Sequence, residues 1–324
     1  MRLQNLILPI QNDLNQVENE LKTSINSDIP VLQDIGHHLW QVPGKRLRPI
    51  MLLLTARLFP HLKPERITAA VAVEMVHTAT LIHDDCIDVA DTRRGQPTVF
   101  ARWGTQTAIL TGDYIYAAVI KMLIEQSLYD VLDTIARAMM IVTSGEVNQI
   151  SHNFDFESTE DSYYQYIYDK TAVLIEATCR IGAMVGGASP EQVAQMAEFG
   201  KTLGIAFQIV DDLLDYIGDP EQTGKPVGID LMEGKVTLPL IHALRQAPAA
   251  EREAILPILR QHRESPARWD SIIDFVARHG GLDYARSQVN FYAKQAKAIL
   301  KQYQVSPVRT TLMTAVDYVV ARNR

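Results

Sequence analysis

Apolar residues recur at three- and four-residue intervals along most of the chain, the period of one face of an α-helix. Leu6, Ile10, Leu14, Val17 and Leu21 begin the series. Ser27-Asp28 offers a cap and Pro30 a first helical residue, and Val31, Ile35 and Leu39 carry the stripe to a break at Pro43-Gly44. Ile50 to Leu58, Ala69 to Ile82, Gly112 to Leu123, Val131 to Val142, the run up to Val185, and Leu203 to Val210 read the same way. Between them, Gly186 to Pro190 is the sharpest turn, with Ser189 as N-cap and Pro190 at N1. The polar stretch from Asn153 to Ser162 predicts a connection. Gly218 to Gly234 predicts a loop of the length that serves as a functional lid. Past Pro239 the chain reads as amphipathic helices with charge-rich breaks. Nothing alternates with period two, so no strand is expected. The expectation is an all-α fold: one domain over residues 1–324, ten or more helices around a central cavity.

Two of these runs end in the same acidic pattern. Asp84, Asp85 and Asp88 follow the first; Asp211, Asp212 and Asp215 follow the second. The intervening pairs, Cys86-Ile87 and Leu213-Leu214, are apolar. On a helix, members four apart have Cβ atoms roughly 5–6 Å from each other. Crowded carboxylates repel, and a fold keeps them where a cation relieves them. Hard carboxylate oxygens suit Mg²⁺, which takes one or two carboxylates, keeps several waters and binds phosphate with the rest of its shell. One such triplet alone reads equally as a solvated helix end. Two with identical spacing point to a diphosphate held between them through metal ions.

Basic and polar residues surround this pattern. Gly44-Lys45-Arg46-Leu47-Arg48-Pro49 places three cations before an apolar run, where Lys45 and Arg48 can share a face and offer an anion a site. His77 precedes Asp84 by two helical turns, nearly on its face; His83 is read as structural. Arg93 and Arg94 follow the first triplet, and arginine binds phosphate bidentately. Lys170-Thr171 opens a later apolar run. Gln208 stands three residues before Asp211. Lys225 and Lys235 lie in or beside the Gly/Pro-rich loop. Tyr163, Tyr164, Tyr166 and Tyr168 are read as packing.

Composition narrows the classes. The 324 residues are 47% hydrophobic and 21% charged, as in a globular protein with ample core. A net charge of −7 argues against a nucleic-acid surface. Two cysteines, Cys86 and Cys179, make no disulfide framework and suit a reducing compartment. Leu6 to Ile10 is too short for a secretory signal, and no uncharged apolar run reaches about 18 residues. The expectation is a cytoplasmic protein with no transmembrane segment.

From Gly44 to Pro239 the chain resembles the trans-polyprenyl diphosphate synthases. The resemblance rests on two Asp-Asp-x-x-Asp motifs, Arg93-Arg94-Gly95 after the first and Gly224-Lys225 after the second; Pro43 stands where the family usually has a second Gly. It implies a Mg²⁺-dependent condensation of isopentenyl diphosphate with an allylic diphosphate in a helical bundle. All six aspartates are then metal ligands. Lys45, Arg48, His77 and Arg94 would hold isopentenyl diphosphate. Arg93, Lys170, Thr171, Gln208, Lys225 and Lys235 would hold the allylic diphosphate. Members of the family that stop at short products often have a bulky aromatic at the position of Ala79, so Ala79, with Val76 and Thr80, implies an open path for the growing tail and products of C30–C40; Met139, Met140 and Tyr116 are candidates for closing it. A homodimer is expected, with a heteromer containing a small regulatory subunit as the alternative, since Phe100–Gly112 and Lys170–Ala183 are similar to large subunits of heptaprenyl-type synthases. A C15–C20 synthase and a terpene cyclase are the remaining readings.

Overall fold

A computed structural model describes residues 3–41, 44–152, 154–218, 227–261 and 269–322. It is 79% helical, as the periodicity requires. The first stripe is split by Pro9 into a short helix α1 (Gln4–Ile7), a 3₁₀ turn and α2 (Gln11–Ser24). Then come α3 (Pro30–Gln41), α4 (Leu47–Arg57) and α5 (Arg66–Ile87), which carries the first triplet. After α6 (Val99–Trp103), the long helices α7 (Thr105–Glu125) and α8 (Tyr129–His152) run to the connection at 154–159. Helices α9 (Glu160–Ile167), α10 (Val173–Val185) and α11 (Pro190–Ile217) follow, and α11 carries the second triplet. Ser189 caps α11 as its sequence predicts, in a capping box with Gln192. The remaining helices are α12 (Ile229–Met232), α13 (Leu238–Gln246), α14 (Ala249–Gln261), α15 (Trp269–Arg278), α16 (Gly281–Leu300) and α17 (Pro307–Val320).

Two local features depart from the periodicity. Thr92–Arg93 and Gln96–Pro97 pair as a two-residue antiparallel hairpin, although no strand was expected. Arg94 and Gly95, at φ 54° and 75°, supply the tight turn, and strands this short cannot show an alternation. Lys170 and Thr171 do not open a helix. They lie in a π-helical turn, Tyr168–Ala172, that joins α9 to α10 without a break. Such a turn inserts one residue into the helical repeat and re-aims side chains, often at functional sites.

Close packing of α4, α5, α10 and α11 fixes the cavity walls. A Cβ on Gly182 of α10 would lie 2.6 Å from the Leu52 carbonyl of α4, and one on Gly204 of α11 would lie 2.6 Å from the Ala172 Cα. Glycine at these two positions lets helix backbones touch. Leu52, Leu53, Val73, Met75, Ile181 and Phe199 fill the space between helices as one continuous core. Among the described residues one helix, α7, is long and apolar enough by length and composition to cross a membrane, and a third of that window is buried. Its Ile115, Val119 and Leu123 face the core, while Ile109, Leu110, Ile120 and Ile124 are exposed.

Candidate active site

A cavity of about 560 Å³ opens between α4, α5, α8, α10, α11 and α17. One wall is basic. Arg46 adopts a left-handed conformation at φ 51° where α4 begins. Its buried guanidinium bonds Glu18 at 2.7 Å and Glu74 at 2.8 Å. That anchor leaves its neighbours Lys45 and Arg48 on the cavity wall with Arg94 and His77. Burial, with help from the Arg94 charge, pushes Arg48 down to about 10. Its buried Nε has no hydrogen-bond partner among the described residues. Burial and then the neighbouring arginines hold His77 well below its usual range, so it is neutral. Crowded cations with an orphaned donor are what an anion site requires before the anion arrives.

Another part of the lining is acidic. Asp84 lies on the wall in the last turn of α5, and Asp211 on the wall near the end of α11. Burial raises Asp84 to about 6 against the pull of Lys170. Asp88, the C-cap of α5, is not in the lining; desolvation raises it too, with Lys235 nearby. Asp211 is paired with Arg322, Nη1 to Oδ1 at 3.0 Å, and the remaining three aspartates are also engaged with the protein. Asp85 accepts from Arg93 Nε at 2.8 Å and Nη2 at 2.7 Å. Asp212 is buried and accepts from Tyr163 Oη at 2.5 Å and Gln208 Nε2 at 2.8 Å. Asp215 accepts from the backbone N–H of Ile229 at 3.1 Å and of Asp230 at 3.3 Å, so it caps α12. Burial and the Asp230 charge raise both Asp212 and Asp215.

The polar residues of the π turn line the same cavity. Lys170 pairs with Glu146 at 2.6 Å and reaches Gln149 at 3.4 Å. Thr171 donates to Gln208 at 2.7 Å, which passes the chain of bonds on to Asp212. The cavity thus collects Lys45, Arg48, His77, Thr80, Asp84, Arg93, Arg94, Lys170, Thr171, Gln208 and Asp211 from the residues singled out in the sequence. Lys235 lies outside it, paired with Glu233 at 2.5 Å and lining an adjacent polar cavity. Lys225 falls outside the described residues. Ala79 and Val76 lie in the packed core rather than on the wall. Five residues along a helix turn through about 500°, so Ala79 is about 140° round from Asp84, while Thr80 is only about 40° away and does line the cavity.

Sequence reading missed several participants. Tyr163, taken as packing, is the donor that fixes Asp212. Phe207, Tyr318 and Arg322 line the cavity without any motif to mark them. Phe207 stands four residues before Asp211, a spacing that could have suggested a shared face.

Comparison with known proteins agrees with this architecture. Residues 29–276 match the family described as "Polyprenyl synthetase". The chain is 34% identical to octaprenyl diphosphate synthase of Escherichia coli (strain K12) over 328 residues, covering 100% of both. It is 35% identical to heptaprenyl diphosphate synthase component 2 of Geobacillus stearothermophilus over 325 residues, again covering 100% of both. The crystal structure of a polyprenyl synthase from Caulobacter crescentus CB15, complexed with calcium and isoprenyl diphosphate, superposes with a TM-score of 0.93 at 31% identity, covering 100% of this chain and 98% of that one. A single cavity with an acidic and a basic wall, set in a fold shared over its full length with these enzymes, places the chain in the polyprenyl synthetase family of chain-elongating trans-prenyltransferases.

Proposed function

We propose that the chain condenses isopentenyl diphosphate, head to tail and repeatedly, onto an allylic diphosphate, giving an all-trans polyprenyl diphosphate of C30–C40. The observation that carries this reading is the pair of opposite poles in one cavity. Two diphosphates of like charge cannot share a site unless each has its own counter-charge. Lys45, Arg48 and Arg94 provide it for one directly, beside neutral His77. Asp84, Asp88 and Asp211 provide it for the other through Mg²⁺. The donor set fits such an ion: hard oxygens from two helices, raised toward neutrality by burial until a cation arrives. Among the described residues no three acidic, His or Cys side chains converge to enclose a metal by themselves. Water and substrate phosphate would complete the shell, as is usual for Mg²⁺. The relative from Caulobacter crescentus, complexed with calcium and isoprenyl diphosphate, supports a divalent ion accompanying the diphosphate.

When bound, Mg²⁺ would neutralise the allylic diphosphate and make it a leaving group. Lys170 adds a preorganised charge beside it, where negative charge grows as the C–O bond ionises. Arg93, tied to Asp85, keeps the first triplet's middle carboxylate from competing with Asp84. Thr171, Gln208 and Tyr163 hold Asp212 and thereby orient Asp211. The allylic cation then alkylates the double bond of isopentenyl diphosphate, positioned by the basic wall. His77, held neutral, orients rather than adds charge. The departed diphosphate is the base that removes the proton, by resemblance to the family. The tail runs inward past Thr80, Val142 and Leu174, which line the cavity below the triplets.

The exposed apolar stripe of α7, Ile109, Leu110, Ile120 and Ile124, suits a second copy of the chain, making a homodimer. A second reading, a catalytic subunit that needs a small partner, is favoured by one observation: a relative of equal length is named component 2 of its enzyme. One experiment separates these readings. The purified chain is incubated with labelled isopentenyl diphosphate, farnesyl diphosphate and Mg²⁺, and the dephosphorylated products are separated by chromatography. A ladder ending between C30 and C40 is expected. An end at C15 or C20 contradicts the chain length. No product at all, from a folded chain, favours the two-component reading.

A further inference from the structure

Asp211 is the member of the second triplet that reaches the cavity, and a cation already sits on it. Arg322, two residues beyond α17, brings Nη1 to 3.0 Å from Asp211 Oδ1. Its guanidinium lies over the Phe207 ring, 4.1 Å from the centroid, and the side chain is 13% exposed. Phe207 and Asp211 are four apart on α11, so one guanidinium covers both neighbours on a single face. This arrangement is not needed to hold α17, which is anchored by buried Leu312, Ala315, Val316 and Val319. It differs from the arginine at the first triplet. There, Arg93 pairs with Asp85, which does not line the cavity, and leaves Asp84 open to it. Here, the arginine covers the cavity-facing carboxylate itself.

We propose that Arg322 is the resident counter-ion of Asp211, and that a divalent cation reaches this carboxylate only by displacing it. The inference rests on the assignment of Asp211 as a metal ligand. A guanidinium and a divalent cation cannot occupy the same carboxylate oxygen, and their like charges repel across the low-dielectric cavity. The first triplet, uncontested, takes its ion at lower metal concentration than the second. Arg322 thereby sets an order of loading, and its release frees a positive charge inside the cavity once the metal has arrived.

The test is a Mn²⁺ titration of the full chain without substrate, with free Mn²⁺ read by electron paramagnetic resonance. Arg322→Gln should tighten one class of Mn²⁺ site by roughly two- to fivefold, the scale of a partly exposed ion pair. Arg322→Lys should fall between that variant and the wild type. In an Asp211→Asn background, Arg322→Gln should change nothing, because the contested oxygen is gone. Unchanged Mn²⁺ binding in Arg322→Gln, with weakened binding in Asp211→Asn, overturns the proposal and leaves Asp211 as a ligand. Unchanged binding in both variants overturns the ligand assignment as well.

Discussion

The two Asp-Asp-x-x-Asp segments share a spacing, and for two of three positions they share an arrangement. The first aspartate of each, Asp84 and Asp211, faces the cavity. The second, Asp85 and Asp212, is turned about 100° away, buried at 4% and 3% exposure, and bound to a protein partner. They diverge at the third. Asp88 is the C-cap of α5, while Asp215 binds the backbone of α12. Both triplets also sit near helix C-termini, where the backbone dipole opposes negative charge. The lesson is that spacing decides which carboxylates gather, while residues from distant parts of the chain decide what each one does. Arg93, Tyr163 and the amides of Ile229 and Asp230 assign the roles.

Removing the cavity-facing members breaks the comparison most directly. Asp84→Ala and Asp211→Ala should each lower turnover by about two to three orders of magnitude or more, since each removes a charge partner of the transition state. Circular dichroism should show an unchanged helical fold. Near-normal activity in Asp211→Ala would mean that the second segment is structural throughout.

The walls should separate in steady-state kinetics. Arg48→Ala should raise the KM for isopentenyl diphosphate by about tenfold or more, the worth of a charged hydrogen bond, with a smaller change for the allylic substrate. Lys170→Ala should do the reverse. Shifts in the opposite order would show that the substrates are exchanged between the walls.

A smaller effect sharpens the contrast through stability. Asp84 titrates near 6 in the fold and, like other aspartates, near 4 when unfolded. Between those values the folded state holds more protons than the unfolded state, so metal-free stability falls as pH rises from about 4 to about 6 and then levels. Asp84→Asn should therefore be more stable than wild type at pH 7 by on the order of 2–3 kcal/mol, with little difference at pH 4. Urea denaturation in chelator at the two pH values reads this directly. A variant less stable than wild type at pH 7 would show that the Asp84 charge is already compensated without metal. The smallest effect belongs to Tyr163→Phe, which loses one hydrogen bond to Asp212 and should cost about 1 kcal/mol in thermal or urea denaturation.

Much of this architecture was legible in the chain. Periodicity gave the helices, and the Ser189-Pro190 cap fell where predicted, because both signals act within a few residues. The cavity-lining members of the motifs were legible for the same reason: residues three, four and seven apart share a helix face, which brings His77, Thr80 and Asp84 together. What was illegible came from contacts distant in sequence. Tyr163 reaches Asp212 across 49 residues. Arg322 comes from the far end of the chain to meet Asp211. The π turn at Lys170 has no periodic signature, since it adds one residue to a repeat that continues on both sides. Ala79 was placed by its distance along α5, but its angle around the helix puts it in the core.

Equilibrium binding with and without metal tests the two-walled cavity most directly. Isopentenyl diphosphate and a non-reactive thiolo analogue of farnesyl diphosphate would each be titrated calorimetrically, in chelator and in Mg²⁺. Isopentenyl diphosphate should bind in chelator and lose affinity in Arg48→Ala. The allylic analogue should require Mg²⁺ and lose affinity in Asp84→Ala. Equal metal dependence for both ligands would contradict it.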